Sequence, residues 1–429
     1  MKNSTYTKYR WFILLVLFVV GTAQGITLIA PSPLVGEISK TLGVSLGQVT
    51  AITMGSFTFC VAISAILGGS LIDKFGSVRI WVVCSCMMGI GLILTPVLGG
   101  TINGLMALRI IEGLGAGPIM ASSSAVAAIW FPTNERGIVT AVQGMTLGLG
   151  IALGFIIVPG AFQSTGSWQA AMASLSILCV IGLILSLIAL FGPKPSASLD
   201  EKASQVASGI GNDMKIALAS PGTWAATACI FLLSWTNQAF NDMTPGYIAV
   251  DAPTGLGLGP VTAGQLMVGA QLANIIGAVL GGVIMEKVFK GKIKPVMIIG
   301  FVLSGILTFT LKLSGVYSSQ STLVIVLTLA GFFYAFVNPQ AMAFISKKYP
   351  EHITGKVGGM ALGIGIFGGT AGVSVGSYFL HTTNLYMMSI NVILVISIIG
   401  VIAALLVNPP NGFSNKAVNI KELDDSLNS

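Results

Sequence analysis

The chain has 429 residues, 54% apolar and only 8% charged, with a mean hydropathy of +0.90 and a formal net charge of +7. Soluble domains carry roughly 25% charged residues, so this composition excludes a water-soluble fold and makes lipid the solvent. There every backbone polar group is satisfied within the fold, and continuous apolar runs without alternation call for helices rather than a barrel.

Windows of about 20 apolar residues divide the chain into twelve predicted spans. They lie at roughly 11–33, 46–72, 79–98, 101–129, 138–159, 168–191, 223–247, 262–285, 295–313, 321–345, 356–380 and 385–407. The first is too long and uninterrupted for a cleaved signal peptide. A polar stretch, 193–221, reads as a cytosolic linker between a six-helix bundle at 1–192 and another at 222–408; 409–429 is a tail. With both termini in the cytosol, every Lys and Arg except Lys40, Lys312 and Arg109 falls on the cytosolic side. That is the positive-inside pattern. It predicts a multi-pass protein of the cytoplasmic membrane, a monomer with the bilayer as its partner. The net charge faces anionic lipid and calls for no nucleic acid.

Polar residues inside the spans are the candidates for function. Gln24 lies in the first span. Arg109 and Glu112 lie in the fourth, about one helical turn apart, so they share a face and can pair. A charge at that depth is expensive unless paired or wetted. The pair is therefore either a self-compensating structural element or part of a water-filled path. Gln143 is in the fifth span. In the seventh, Trp235, Asn237, Gln238, Asn241 and Asp242 precede Pro245-Gly246, a pair that would break or bend the helix. Asp242 is either a substrate or proton site at that break or a solvated acid in the headgroup layer. Asn274, Asn338 and Gln340 follow in the eighth and tenth spans. Each amide is helix-to-helix glue or part of a polar pocket at the midplane. The five Cys read as small packing residues. No His, Cys and carboxylate cluster, nucleotide loop or nucleophile motif is present, so no metal, cofactor or enzymatic activity is expected.

The chain repeats itself. Gly68-Gly69-Ser70-Leu71-Ile72-Asp73-Lys74 recurs as Gly281-Gly282-Val283-Ile284-Met285-Glu286-Lys287, and Phe131-Pro132 with Gly137 recurs as Tyr349-Pro350 with Gly355. Such repeats are a common construction of secondary transporters.

Gly69-Ser-Leu-Ile-Asp73-Lys74-Phe-Gly76-Ser-Val-Arg79 resembles the loop signature of the major facilitator superfamily, G-x-x-x-D-[RK]-x-G-x-x-[RK]. Arg109-Ile-Ile-Glu112-Gly113-Leu-Gly115-Ala-Gly117 resembles its fourth-helix motif, R-x-x-x-G-x-G-x-[GA]. With the span count, linker and repeat, the resemblance covers essentially the whole chain. It implies two pseudo-symmetric six-helix bundles and a cytosolic latch of Gly69, Asp73, Lys74, Gly76 and Arg79, which breaks when the inside opens. The alternative for that segment is a plain solvated loop. In the second copy Glu286 replaces the acid, Lys292 matches Arg79, and Phe289 stands where the turn glycine belongs, so that latch is expected to be weaker. The resemblance also links Arg109 to proton coupling.

Trp130-Phe131-Pro132-x-x-Glu135-Arg136-Gly137 resembles a loop of the facilitators for organic anions. The arginines expected of nitrate carriers in the second and eighth helices are missing. The fifth span, with Gly144, Gly148, Gly150, Gly154 and Pro159-Gly160, resembles the antiporter motif of drug exporters only out of register. The reading is a proton-coupled secondary transporter of a small organic anion such as a carboxylate; the alternative is proton-antiport efflux of drugs or amphipathic compounds.

Overall fold

The computed structural model describes residues 8–132, 135–193 and 210–409, and every regular element among them is helical. We label the principal helices α1 Tyr9–Ile29, α2 Ser56–Phe75, α3 Ser77–Ile93, α4 Ile102–Met120, α5 Arg136–Thr165, α6 Ser176–Phe191, α7 Pro221–Ala249, α8 Gly259–Lys287, α9 Ile293–Thr310, α10 Gln320–Tyr334, α11 Glu351–Thr383 and α12 Tyr386–Leu406. Ten described helical segments are long and apolar enough to cross a membrane. Helix α7 joins them when taken with Asp213–Ala219, from which it is bent by 66°, and α3 is apolar but shorter. The ten or eleven membrane-length segments overlie expected spans, and α3 overlies the third expected span but is shorter than a membrane crossing requires. Most of the expected linker (194–209) and of the tail (410–429) lies outside the described residues.

Several boundaries differ from the sequence reading. The first span ends at Ile29 and is followed by a 3-10 turn at Ser32–Leu34 and a separate helix Val35–Leu42. The third ends at Ile93, ahead of the proline-led turn Thr95–Leu98. The tenth is interrupted after Tyr334 and resumes as Asn338–Lys348, whose second residue is Pro339. Helix α7 runs on through Pro245 to Ala249 rather than stopping there.

Hydroxyl caps open many of the helices at the end of the molecule opposite the chain termini. Ser45, Thr101, Ser167 and Ser319 each accept a bond from a backbone N–H of the first turn. A cap removes one of the orphan donors of a helix start. At the terminal end α2 turns sharply into α3 at Gly76, whose φ of +83° suits glycine.

Packing follows the small residues. In α4, Gly113 and Gly117 lie against the α2 backbone and Gly115 against α3, so the expected motif glycines are contact points for two neighbours. Helix α1 packs on α5 and α6, α7 on α11 and α12, and α8 on α10. The two halves of the chain meet where α5 packs on α8 and where α11 packs on α2 and on Leu46–Thr50. Their contacts run from the far end to mid-depth. Ser45 Oγ lies 2.7 Å from His381 Nδ1. Gly264 abuts the Phe155 backbone, and Gly148 faces Ile275. The rings of Phe59 and Phe367 meet edge to face. The far end is therefore closed.

Candidate functional site

A helical carbonyl normally accepts from the N–H four residues later. Proline has none. Pro31 follows α1 at the position that would serve the Thr27 carbonyl, and Leu28 lies in the last turn, where carbonyls lack intrahelical partners. Arg109 fills these vacancies. Its Nη1 donates to Thr27 O at 2.9 Å and its Nη2 to Leu28 O at 3.1 Å. Its Nε donates to Thr53 O at 2.6 Å. Thr53 lies in the π-helical turn Ala51–Gly55 that leads into α2, a distortion common at functional sites. The guanidinium also sits 4.2 Å from the Phe57 ring centre.

Glu112 completes the arrangement: its Oε2 accepts from Arg109 Nη1 at 2.5 Å. Both side chains are fully buried. Four of the five N–H groups an arginine carries are thus engaged within the first half of the chain. Gly91 makes the room, since a side chain there would collide with the Glu112 carboxylate. Glu112 Oε1 has no partner. These bonds tie α1, the π turn and α4 together around a fully buried pair.

The second site is on α7. Asn241 and Asp242 are buried, at 3% and 2% exposure, so Asp242 is not a solvated acid of the headgroup layer. Its Oδ2 accepts from Gln238 Nε2 at 2.9 Å, and its Oδ1 has no partner. Asn241 Oδ1 accepts from Gln271 Nε2 of α8 at 2.7 Å. Pro245 leaves the Asn241 carbonyl without its helical donor, as Pro31 does for Thr27. Ser32, from the other half of the chain, supplies one. Its hydroxyl lies 3.2 Å from both Asn241 O and Asp242 O. Asp242 is also within electrostatic range of Arg109.

The remaining candidates scatter around these two centres. Trp235 meets Phe231 edge to face and lies against Gly372 of α11. Gln24 is buried in α1, and Gln143 of α5 is half-buried with Oε1 unpartnered. Asn274 donates to Gly331 O at 3.0 Å, a helix-to-helix tie. Asn338 is exposed, whereas Gln340 is buried against Gly281, its Nε2 unpartnered. Four of the cysteines are buried and Cys86 is partly so; all five are free.

At the terminal end, Asp73, Lys74, Gly76 and Arg79 are exposed and Gly69 is partly so, and among the described residues no ion pair or hydrogen bond engages Asp73. Among the described residues no ion pair joins Asp73 to Arg79 in this conformation. Arg79 instead borders a cavity of about 200 Å³ with Trp130, Leu190 and Pro193. In the second copy Glu286 pairs with Lys347 at 2.5 Å, both ends about half exposed. The turn glycine missing at Phe289 is supplied two residues on by Gly291, with φ of +76°. This pair joins two residues of the second half.

Sequence reasoning missed Ser32, Thr53 and Gln271. Two of the three carried a signal. Ser32 stands between Pro31 and Pro33, and Gln271 is an amide deep in an apolar run.

An all-helical fold with helices long enough to cross a membrane thus holds a buried acid, Asp242, where its two halves meet. The chain belongs to the Major Facilitator Superfamily, whose model matches residues 13–290 and 248–422. It is 24% identical over 431 residues to the "Probable sulfoacetate transporter" of Cupriavidus necator, covering 95% of this chain and 96% of that one. It is 24% identical over 405 residues to the "Probable galactarate/D-glucarate transporter" of Escherichia coli K12, covering 87% of each. In fold it matches a bacterial homologue of the human lysosomal transporter Spinster, solved inward-facing and occupied. The TM-score is 0.73 at 14% identity, over 94% of this chain and 97% of that one.

Proposed function

We propose that this chain carries small organic anions, carboxylates or sulfonates, across the cytoplasmic membrane by alternating access, in symport with protons. The two bundles, 1–192 and 222–408, move about the seam, and both termini face the cytosol. The observation that carries this reading is the buried Asp242 carboxylate at the seam, with one oxygen unpartnered and Arg109 within electrostatic range. The names of the two relatives, both for acids, agree with it.

The charge balance gives the coupling. Arg109, Glu112 and Asp242 together carry one excess negative charge when all are ionised. An excess charge in low dielectric is costly, and an incoming anion would add to it. A proton on Asp242 removes that excess. A second, on Glu112, leaves the Arg109 charge for the anion. Arg109 then acts through its field, because its donors are already engaged. Direct contact falls to Gln238, Trp235, Gln143 and Asn338, with Gln24, Asn241 and Gln340 behind them.

The test has two arms on purified protein. A thermal-shift screen of short carboxylates and sulfonates against lipophilic drugs reports the ligand class. A ligand at a hundred times its Kd stabilises the fold by about 2.7 kcal/mol. Uptake into liposomes reports coupling: a pH gradient, acid outside, drives accumulation of the acid that stabilises. Stabilisation by lipophilic cations alone would reverse the assignment in favour of drug efflux.

A further inference from the structure

The Ser32 hydroxyl is the feature that the transport reading leaves unexplained. It is fully buried. It reaches across the seam to two main-chain carbonyls of α7, Asn241 O and Asp242 O. One of these is orphaned by Pro245. A buried carbonyl without a donor costs more than an ordinary hydrogen bond contributes, so the hydroxyl is matched to a vacancy that α7 itself creates. The residues on either side of the contact are also a closed seam. Gly36 packs on Val250, and Ser45 on His381.

We propose that Ser32 is a positioning residue for transport: its hydroxyl clasps the proline-interrupted turn of α7 and so ties burial of Asp242 to closure of the far end. This rests on the alternating-access reading above. When the far end opens, Ser32 leaves α7 and the Asn241 carbonyl must find water. Water then also reaches the unpartnered Oδ1 of Asp242. When it closes, the same hydroxyl excludes water from both. Substrate and proton access to Asp242 from the far side is thereby coupled to this hydrogen-bonded contact between the halves.

The clasp is tested by labelling a cysteine placed at the seam, Val250→Cys, with a membrane-impermeant maleimide. The parent is Val250→Cys with Ser32 intact, and label taken up by the protein without that cysteine is subtracted. Loss of one neutral hydrogen bond should open the far end enough to raise the rate about fivefold. Ser32→Ala and the near-isosteric Ser32→Val should both show that increase, and Ser32→Thr should label like the parent. Pro245→Ala restores an N–H for the Asn241 carbonyl, so Ser32→Ala in that background should label within about twofold of Pro245→Ala alone. Parent-like labelling of Ser32→Ala would overturn the proposal. So would equal acceleration by Ser32→Thr and Ser32→Val, which would make the effect one of bulk. An undiminished effect of Ser32→Ala in the Pro245→Ala background would also overturn it. Labelling needs no substrate, so it stands or falls separately from the choice of organic anions as cargo.

Discussion

Two proline-orphaned carbonyls lie near the far end of the molecule, and they are satisfied in opposite ways. Thr27 O, left by Pro31, receives a guanidinium N–H from within its own half of the chain. Asn241 O, left by Pro245, receives a hydroxyl from the other half. The first centre is closed and nearly saturated: Arg109 binds three carbonyls, a carboxylate and an aromatic face without any solvent exposure. The second is incomplete, with Asp242 Oδ1 open and its main-chain partner on a surface that has to separate. A saturated centre holds one half rigid. An incomplete one at a seam can change its partners, which is what a transport cycle asks of it.

The largest effect should come from breaking the saturated centre. Arg109→Ala strands the Glu112 carboxylate and three carbonyls in a dry interior, and should destabilise the protein by about 3–5 kcal/mol. Thermal unfolding in detergent measures this. Combining Arg109→Met with Glu112→Gln should recover part of that loss, because no buried charge is left unpaired. A double variant as unstable as Arg109→Ala would mean that the carbonyl ties, not the ion pair, dominate.

A smaller loss is expected for Arg109→Lys. The charge is kept, but an ammonium cannot span Thr53, Thr27, Leu28 and Glu112 together. About 1–3 kcal/mol of stability should disappear, and transport should weaken with it. Retained transport at full stability would remove the geometric role of the guanidinium.

Asp242→Asn sharpens the comparison from the other side. It keeps size and the Gln238 contact but cannot release a proton. Its unfolding should stay within about 1 kcal/mol of the parent, since the carboxylate is bonded at only one oxygen. Counterflow of substrate between two equal pools should persist, while accumulation driven by a pH gradient should be lost. Gradient-driven uptake by Asp242→Asn would move the proton site to Glu112.

The smallest effects belong to the terminal end. Glu286→Gln removes a half-exposed pair and should cost no more than about 1 kcal/mol. Asp73→Asn should leave stability unchanged, because Asp73 is exposed and has no ion-pair partner among the described residues. It should slow transport if the latch forms in the opposite state. Unaltered rates in Asp73→Asn would assign the segment to a plain solvated loop.

The sequence by itself determined the class and much of the frame. Its apolar runs set the spans, since a bilayer core requires helices of fixed length. Its two glycine-acid-lysine loops marked the halves, its fourth-helix motif marked Arg109 and Glu112, and the Pro245-Gly246 pair pointed to Asp242. Periodicity could place Arg109 beside Glu112, because that contact lies within one helix. It could not tell whether their face was wet, because burial depends on α1 and the π turn arriving from elsewhere in the chain. Only the tertiary structure decided that Arg109 is spent on carbonyls, that Glu286 rather than Asp73 is paired, and that Ser32 meets α7. Each of these joins groups distant along the chain: Ser32 Oγ bonds a carbonyl 209 positions away. Local pattern shows where a proline leaves a carbonyl bare. Which donor comes to it is settled by how the helices pack.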